Sequence, residues 1–84
     1  MTKHMILYDP DSTAYTGNID INGGISLYSN EGQYLYGEIG SQGSVSLYDE
    51  ENNIISGDVD TNGNVSLYDE VGNHWYGEIR LMQQ

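Results

Sequence analysis

Apolar and polar side chains alternate along most of this chain with a period of two. One set of segments reads Met5-Ile6-Leu7-Tyr8, Ile25-Ser26-Leu27-Tyr28, Val45-Ser46-Leu47-Tyr48 and Val65-Ser66-Leu67-Tyr68. A second reads Tyr15-Thr16-Gly17-Asn18-Ile19, Leu35-Tyr36-Gly37-Glu38-Ile39, Ile55-Ser56-Gly57-Asp58-Val59 and Trp75-Tyr76-Gly77-Glu78-Ile79. Alternation rich in Val, Ile, Tyr and Trp predicts strands with one buried face. No stretch carries helical spacing long enough to matter. The two sets interleave and recur every twenty residues without a gap. The chain therefore reads as one domain, 1–84, built of four hairpin repeats at about 5–24, 25–44, 45–64 and 65–84.

The segments between the strands support this with a mechanism. After the first strand of each repeat come Asp9-Pro10-Asp11-Ser12, Ser29-Asn30-Glu31-Gly32, Asp49-Glu50-Glu51-Asn52 and Asp69-Glu70-Val71-Gly72. Asp or Ser opens a type I turn, Pro suits the next place, and Gly or Asn suits a left-handed third residue. That is a three-residue hairpin loop with a glycine-type bulge. Asp20-Ile21-Asn22-Gly23, Gly40-Ser41-Gln42-Gly43 and Asp60-Thr61-Asn62-Gly63 read the same way.

Three-residue loops fix the register. Leu27 then faces Leu35, Ile25 faces Gly37, Ile39 faces Val45 and Gly37 faces Leu47. Two-residue loops would mix the faces. One face collects Met5, Leu7, Tyr15, Ile19, Ile25, Leu27, Leu35, Ile39, Val45, Leu47, Ile55, Val59, Val65, Leu67, Trp75 and Ile79, with four strand glycines among them. A flat open sheet could not bury that face alone. Each repeat staggers by two residues, which gives a shear of about eight on eight strands, inside the range that closes. The expected fold is all-β: an eight-stranded antiparallel meander closed into a small up-and-down barrel filled by side chains. The alternative is an open sheet buried in a homodimer.

Tyr36-Gly37-Glu38 and Tyr76-Gly77-Glu78 resemble the Tyr-x-Gly-Glu core of MORN repeats. The Tyr-Asp-x-x-Gly at Tyr68–Gly72 resembles the YD repeats of large secreted toxin shells. The period here is shorter than that of MORN, and MORN's second Gly-x-Gly is missing. Both resemblances imply hairpin repeats and nothing about function.

Charge narrows the partners. The chain has 13 acidic residues against two basic ones, Lys3 and Arg80, for a formal net charge of -11. Such a surface repels phosphate backbones and anionic lipid, so neither direct nucleic-acid binding nor membrane binding is expected. It suits solubility or a basic protein partner. There is no cysteine, hence no disulfide framework and no thiolate metal site. Residues 1–8 carry no signal-peptide pattern, and a cytoplasmic or virion-internal setting is expected.

Three groups of residues are candidates for function. The turns after the first strands bring Asp9, Asp11, Glu31, Asp49, Glu50, Glu51, Asp69 and Glu70 to one rim of the expected barrel. They read either as solvated turns or as an acidic ring for a basic partner, with Asp49, Glu50, Glu51, Asp69 and Glu70 as its main contacts. Tyr8, Tyr28, Tyr48 and Tyr68 share one repeat position on the outer face, beside Tyr36 and Tyr76. They read either as cross-strand pairs or as a contact belt, since exposed tyrosine is favoured at protein interfaces. The stretch from Asp58 to Asp69 resembles an EF-hand loop, with Asp58, Asp60, Asn62 and Asp69 at ligand places and Gly63 at the sharp bend. Turn chemistry alone already accounts for Asp60, Asn62 and Gly63. His4 and His74 lie in no catalytic pattern, and no nucleophile–base pair or phosphate loop is visible.

The expected function is therefore a non-catalytic protein-interaction module with no cofactor, working as a monomer or homodimer. A specific form is a nucleic-acid-mimicking inhibitor, such as a phage protein, that occupies the basic groove of its partner. The alternative is a β-repeat protein that binds a small ligand or calcium.

Overall fold

Seven tight turns convert the alternating segments into a continuous meander. In each, the third loop residue has a positive φ: Ser12 at 70°, Asn52 at 67°, and Gly23, Gly32, Gly43, Gly63 and Gly72 at 83° to 91°. In each, the amide of that residue donates to the carbonyl of the residue that opens the turn, as Gly63 does to Asp60 at 3.1 Å. These are the three-residue loops expected from the turn residues, with serine and asparagine each taking the left-handed place once.

The computed structural model describes residues 3–81. Among them run β1 (Lys3–Tyr8), β2 (Ala14–Ile19), β3 (Gly24–Ser29), β4 (Tyr34–Ile39), β5 (Ser44–Tyr48), β6 (Ile54–Val59), β7 (Asn64–Tyr68) and β8 (His74–Leu81). Each strand pairs antiparallel with its sequence neighbours, and β8 returns to pair with β1, so the sheet closes into a barrel within one chain. The open-sheet alternative is not adopted. Leu27 faces Leu35 and Ile25 faces Gly37, Ile39 faces Val45, and Met5 faces Ile79 across the closing seam. Following the pairings once round, from Met5 through Gly17 and Leu27 and on by the same alignments, returns to β1 eight residues further along. Eight strands with that stagger leave an interior just wide enough for side chains. No helix among the described residues is long and apolar enough to cross a membrane.

The interior is tiered by repeat position. Leu7, Leu27, Leu47 and Leu67 come from the odd strands and are fully buried. Below them Met5, Ile25, Val45 and Val65 are buried too, and Ile39, Val59 and Ile79 pack against the cluster at one end while Trp75 does so at the other. All sixteen residues expected on the inner face are there. Between the two odd-strand tiers sit the strand glycines. A Cβ on Gly17 would collide with the Ser26 carbonyl oxygen, and Gly37, Gly57 and Gly77 meet the carbonyls of Ser46, Ser66 and Ile6 in the same way. Glycine inside a strand commonly marks such a close backbone approach. Here it lets neighbouring strands coil tightly enough for a narrow barrel to close.

Candidate functional site

The odd-to-even turns, after β1, β3, β5 and β7, lie at one end of the barrel, and the even-to-odd turns lie at the other. The first end collects Asp9, Asp11, Glu31, Asp49, Glu50, Glu51, Asp69 and Glu70. Asp20 and Asp60 are at the far end, and Glu38, Asp58 and Glu78 lie on strands. Both fixed cations, Lys3 and Arg80, belong to the far half. Arg80 reaches Glu78 at 2.9 Å, an exposed pair of the kind worth little. The charge is therefore polarised along the barrel axis.

Not all of these carboxylates are equally available. Six of the seven turns open with a side chain whose oxygen accepts two backbone amides of its own turn. Asp9, Asp20, Asp49, Asp60 and Asp69 do this through Oδ1 and Ser29 through Oγ, at 2.8 to 3.2 Å. Burial alone would push the Asp49 carboxyl up. The Asn53 backbone and side-chain amides and the Glu51 amide outweigh it and hold Asp49 below its ordinary value. The Asn64 amide holds Asp60 down. For Asp69 the chief cause is the Trp75 indole N–H, which donates to Asp69 Oδ2 at 3.1 Å. Hydrogen bonds to the charged form favour it. Asp49 and Asp69 thus point one oxygen back into the fold, whereas Glu50, Glu51 and Glu70 are exposed.

The four candidate calcium ligands are not brought together. Asp58 is on β6, and Asp60 and Asn62 are in the β6–β7 turn at the far rim. Asp69 opens the β7–β8 turn at the acidic rim. The twelve residues that resemble a cation loop form a hairpin turn and a full strand. Among the described residues no group of three or more His, Cys, Asp or Glu could hold a metal ion.

The outer tyrosines form two ladders. Tyr28, Tyr34, Tyr36 and Tyr48 run across β3, β4 and β5 with ring centroids 4.7, 5.6 and 5.7 Å apart. Tyr68, His74, Tyr76 and Tyr8 run across β7, β8 and β1 at 5.0, 6.0 and 5.5 Å. The ladders occupy equivalent places forty residues apart, on opposite sides of the barrel. Tyr34 and His74 complete them, and neither was singled out by the residue pattern. Their place one residue before the inward Leu35 and Trp75 was the available signal, since parity puts them outside. His74 also shares a 2.8 Å hydrogen bond between its Nε2 and Ser66 Oγ. Neighbouring rings lie within 19° to 33° of parallel. The Tyr36 hydroxyl donates to Asn52 Oδ1 at 3.2 Å. Tyr28 and Tyr68 are the most exposed, at 56% and 53%.

At the acidic mouth the innermost layer is Tyr15, Leu35, Ile55 and Trp75. The Tyr15 and Trp75 rings lie 5.8 Å apart. Tyr15 is buried, and its hydroxyl donates to Gln33 Oε1 at 3.3 Å. Burial pushes the Tyr15 phenol up, and the charges of Asp9, Asp49, Glu31 and Glu50 push it further. Comparison with protein-family models, curated proteins and solved structures returns no match to the chain.

Proposed function

We propose that this chain is a non-catalytic interaction module whose acidic, tyrosine-edged surface engages the basic face of a protein partner, in the manner of a nucleic-acid mimic. The observation that carries the reading is the polarised charge: eight of the 13 acids gather at one rim, away from both fixed cations. A rigid closed scaffold holds that field in place, and fixed like charges on one end steer a basic surface toward it. The ladders add contact area of the type that interfaces favour. Flanked by Glu38, Asp58 and Glu78, they suit contact with protein better than stacking of bases, which goes with positive charge nearby.

The same reading keeps the chain in the cytoplasm, where nucleic-acid-handling proteins with basic grooves work, and away from membranes. Strands that span a bilayer run roughly nine to eleven residues and turn an apolar face outward. Here most strands have five or six residues and turn Ser, Asp, Glu and Asn outward among the tyrosines.

Affinity capture from the native host lysate at low and high salt, read by mass spectrometry, tests the proposal. A DNA- or RNA-handling protein should be captured at low salt and released by high salt, because contacts between exposed charges are screened. Survival of the complex at high salt would move the weight onto the tyrosine ladders. Capture of nothing specific under either condition would sink the reading.

A further inference from the structure

The acidic mouth is a recess and not only a ring of charges. It measures about 250 Å³ and is floored by Tyr15, Leu35 and Trp75, with Asp49, Glu50 and Glu51 on one wall. We infer that this recess takes one arginine side chain of a partner protein, with its guanidinium over the Trp75 indole and against the Asp49–Glu51 wall. The inference deepens the proposed function and rests on it for the source of the arginine.

Three observations converge on a planar cation that donates hydrogen bonds. The floor is aromatic and the site carries no positive charge to compete, which is the setting for cation–π attraction, strongest over indole. Tyr15 is only 5% exposed. Its hydroxyl spends its proton on Gln33, and no donor among the described residues reaches the lone pairs of its oxygen. The carboxylates of Glu50 and Glu51 are exposed and make no hydrogen bond among the described residues, so they are free to receive a ligand. Asp49 is already oriented by its own turn. Arginine fits this set better than lysine. Its flat, weakly hydrated fork stacks on a ring and meets carboxylates with two parallel N–H groups, whereas an ammonium is a compact, strongly hydrated point charge.

Trp75 is the single tryptophan of the chain. It borders this recess and a neighbouring one lined by Asp69, Glu70 and Val71, so its fluorescence reports the acidic mouth, and Glu50 and Glu51, which line only the first, assign the signal to it. The experiment titrates the full chain, at low salt, with the capped tripeptide acetyl-Gly-Arg-Gly-amide. The same peptide with lysine and with uncharged citrulline serves for comparison. The arginine peptide should give a saturable change in emission with a Kd in the millimolar range, as befits one side chain, on the order of -4 kcal/mol. The lysine peptide should bind several-fold more weakly and the citrulline peptide not measurably. A Glu50→Gln, Glu51→Gln double variant should keep or slightly raise its thermal midpoint, since two rim charges are removed, and bind the arginine peptide about tenfold more weakly. The inference is overturned by any of three results: no saturable change, equal response to lysine or citrulline, or undiminished binding to the double variant. If the lysate yields a salt-released partner while this titration fails, the proposed function stands and the arginine recess falls.

Discussion

Gly40 is the exception among the seven turn-opening residues. The other six supply a side-chain oxygen that accepts two amides of the turn, and Gly40 has none to offer. An added Cβ there would meet only the Ser44 carbonyl oxygen at 3.8 Å, an ordinary contact. Gly40→Asp should therefore stabilise the fold by about 1 kcal/mol, through the new hydrogen bonds and a less flexible unfolded chain. A rise in the urea midpoint at constant slope would show it, and an unchanged midpoint would mean that these side chains do not secure the turns. The same caps set the response to pH. Asp49, Asp60 and Asp69 titrate lower in the folded state than in the unfolded one. Their contribution is present above about pH 4 and is lost as pH falls through their folded values. Tyr15 is shifted the other way, so its contribution is present below about pH 10 and is lost above it. Urea midpoints should fall on acidification from pH 4 to pH 2 and again above pH 10, and Tyr15→Phe should soften only the alkaline fall. Turn chemistry made these positions legible in the sequence. The division of the rim into engaged carboxylates, Asp9, Asp49 and Asp69, and those at loop tips, such as Asp11, Glu50 and Glu51, was harder to read, because the same residue types serve both purposes. It follows from distance along the turn: a residue that opens the loop reaches the amides two and four places on, and one at the tip does not.

At the level of the strand, period and parity carried nearly everything. Sixteen inward positions and the register of each hairpin follow from the length of the loops, because an odd loop keeps facing residues on one face. What the alternation did not explain is why each even strand carries glycine at its centre. Only the path of the neighbouring strand supplies the reason, since the Ser26, Ser46, Ser66 and Ile6 carbonyls occupy the space where a side chain would begin. Gly57→Ala should therefore cost about 3 kcal/mol or more, because the obstacle is backbone and cannot step aside as a flexible side chain would. Ser56→Ala, one residue away on the outer face, should change stability by less than about 0.5 kcal/mol. Chemical denaturation of the two variants side by side is the measurement. Equal costs would show that the strands can spread to admit a methyl group, and that glycine is not what permits closure.

For the molecule as a whole, a formal charge of -11 on 84 residues means that the compact state repels itself. Sodium chloride should raise the thermal midpoint at pH 7 by a few degrees, reaching a plateau once the Debye length is shorter than the spacing of the rim charges, near ~3 Å at 1 M. A midpoint indifferent to salt would show that the carboxylates already sit too far apart to matter. Net charge was readable from composition alone and repeat number from the twenty-residue recurrence. The axial separation of charge needed the expected meander as well, because it depends on which turns share an end. In an up-and-down meander strand direction alternates, so every odd-to-even turn falls at the same end.

The closing seam has a consequence for how such a molecule can arise. Across it Gly77 faces Leu7 and Ile79 faces Met5, which repeats, forty residues on, the pairing of Gly37 with Leu47 and Ile39 with Val45 between β4 and β5. One half of the chain therefore contains every kind of strand junction that the ring requires. Two separate copies of such a half, related by a rotation of 180°, would close the same ring without a covalent link. The present chain has the geometry of two such halves joined end to end.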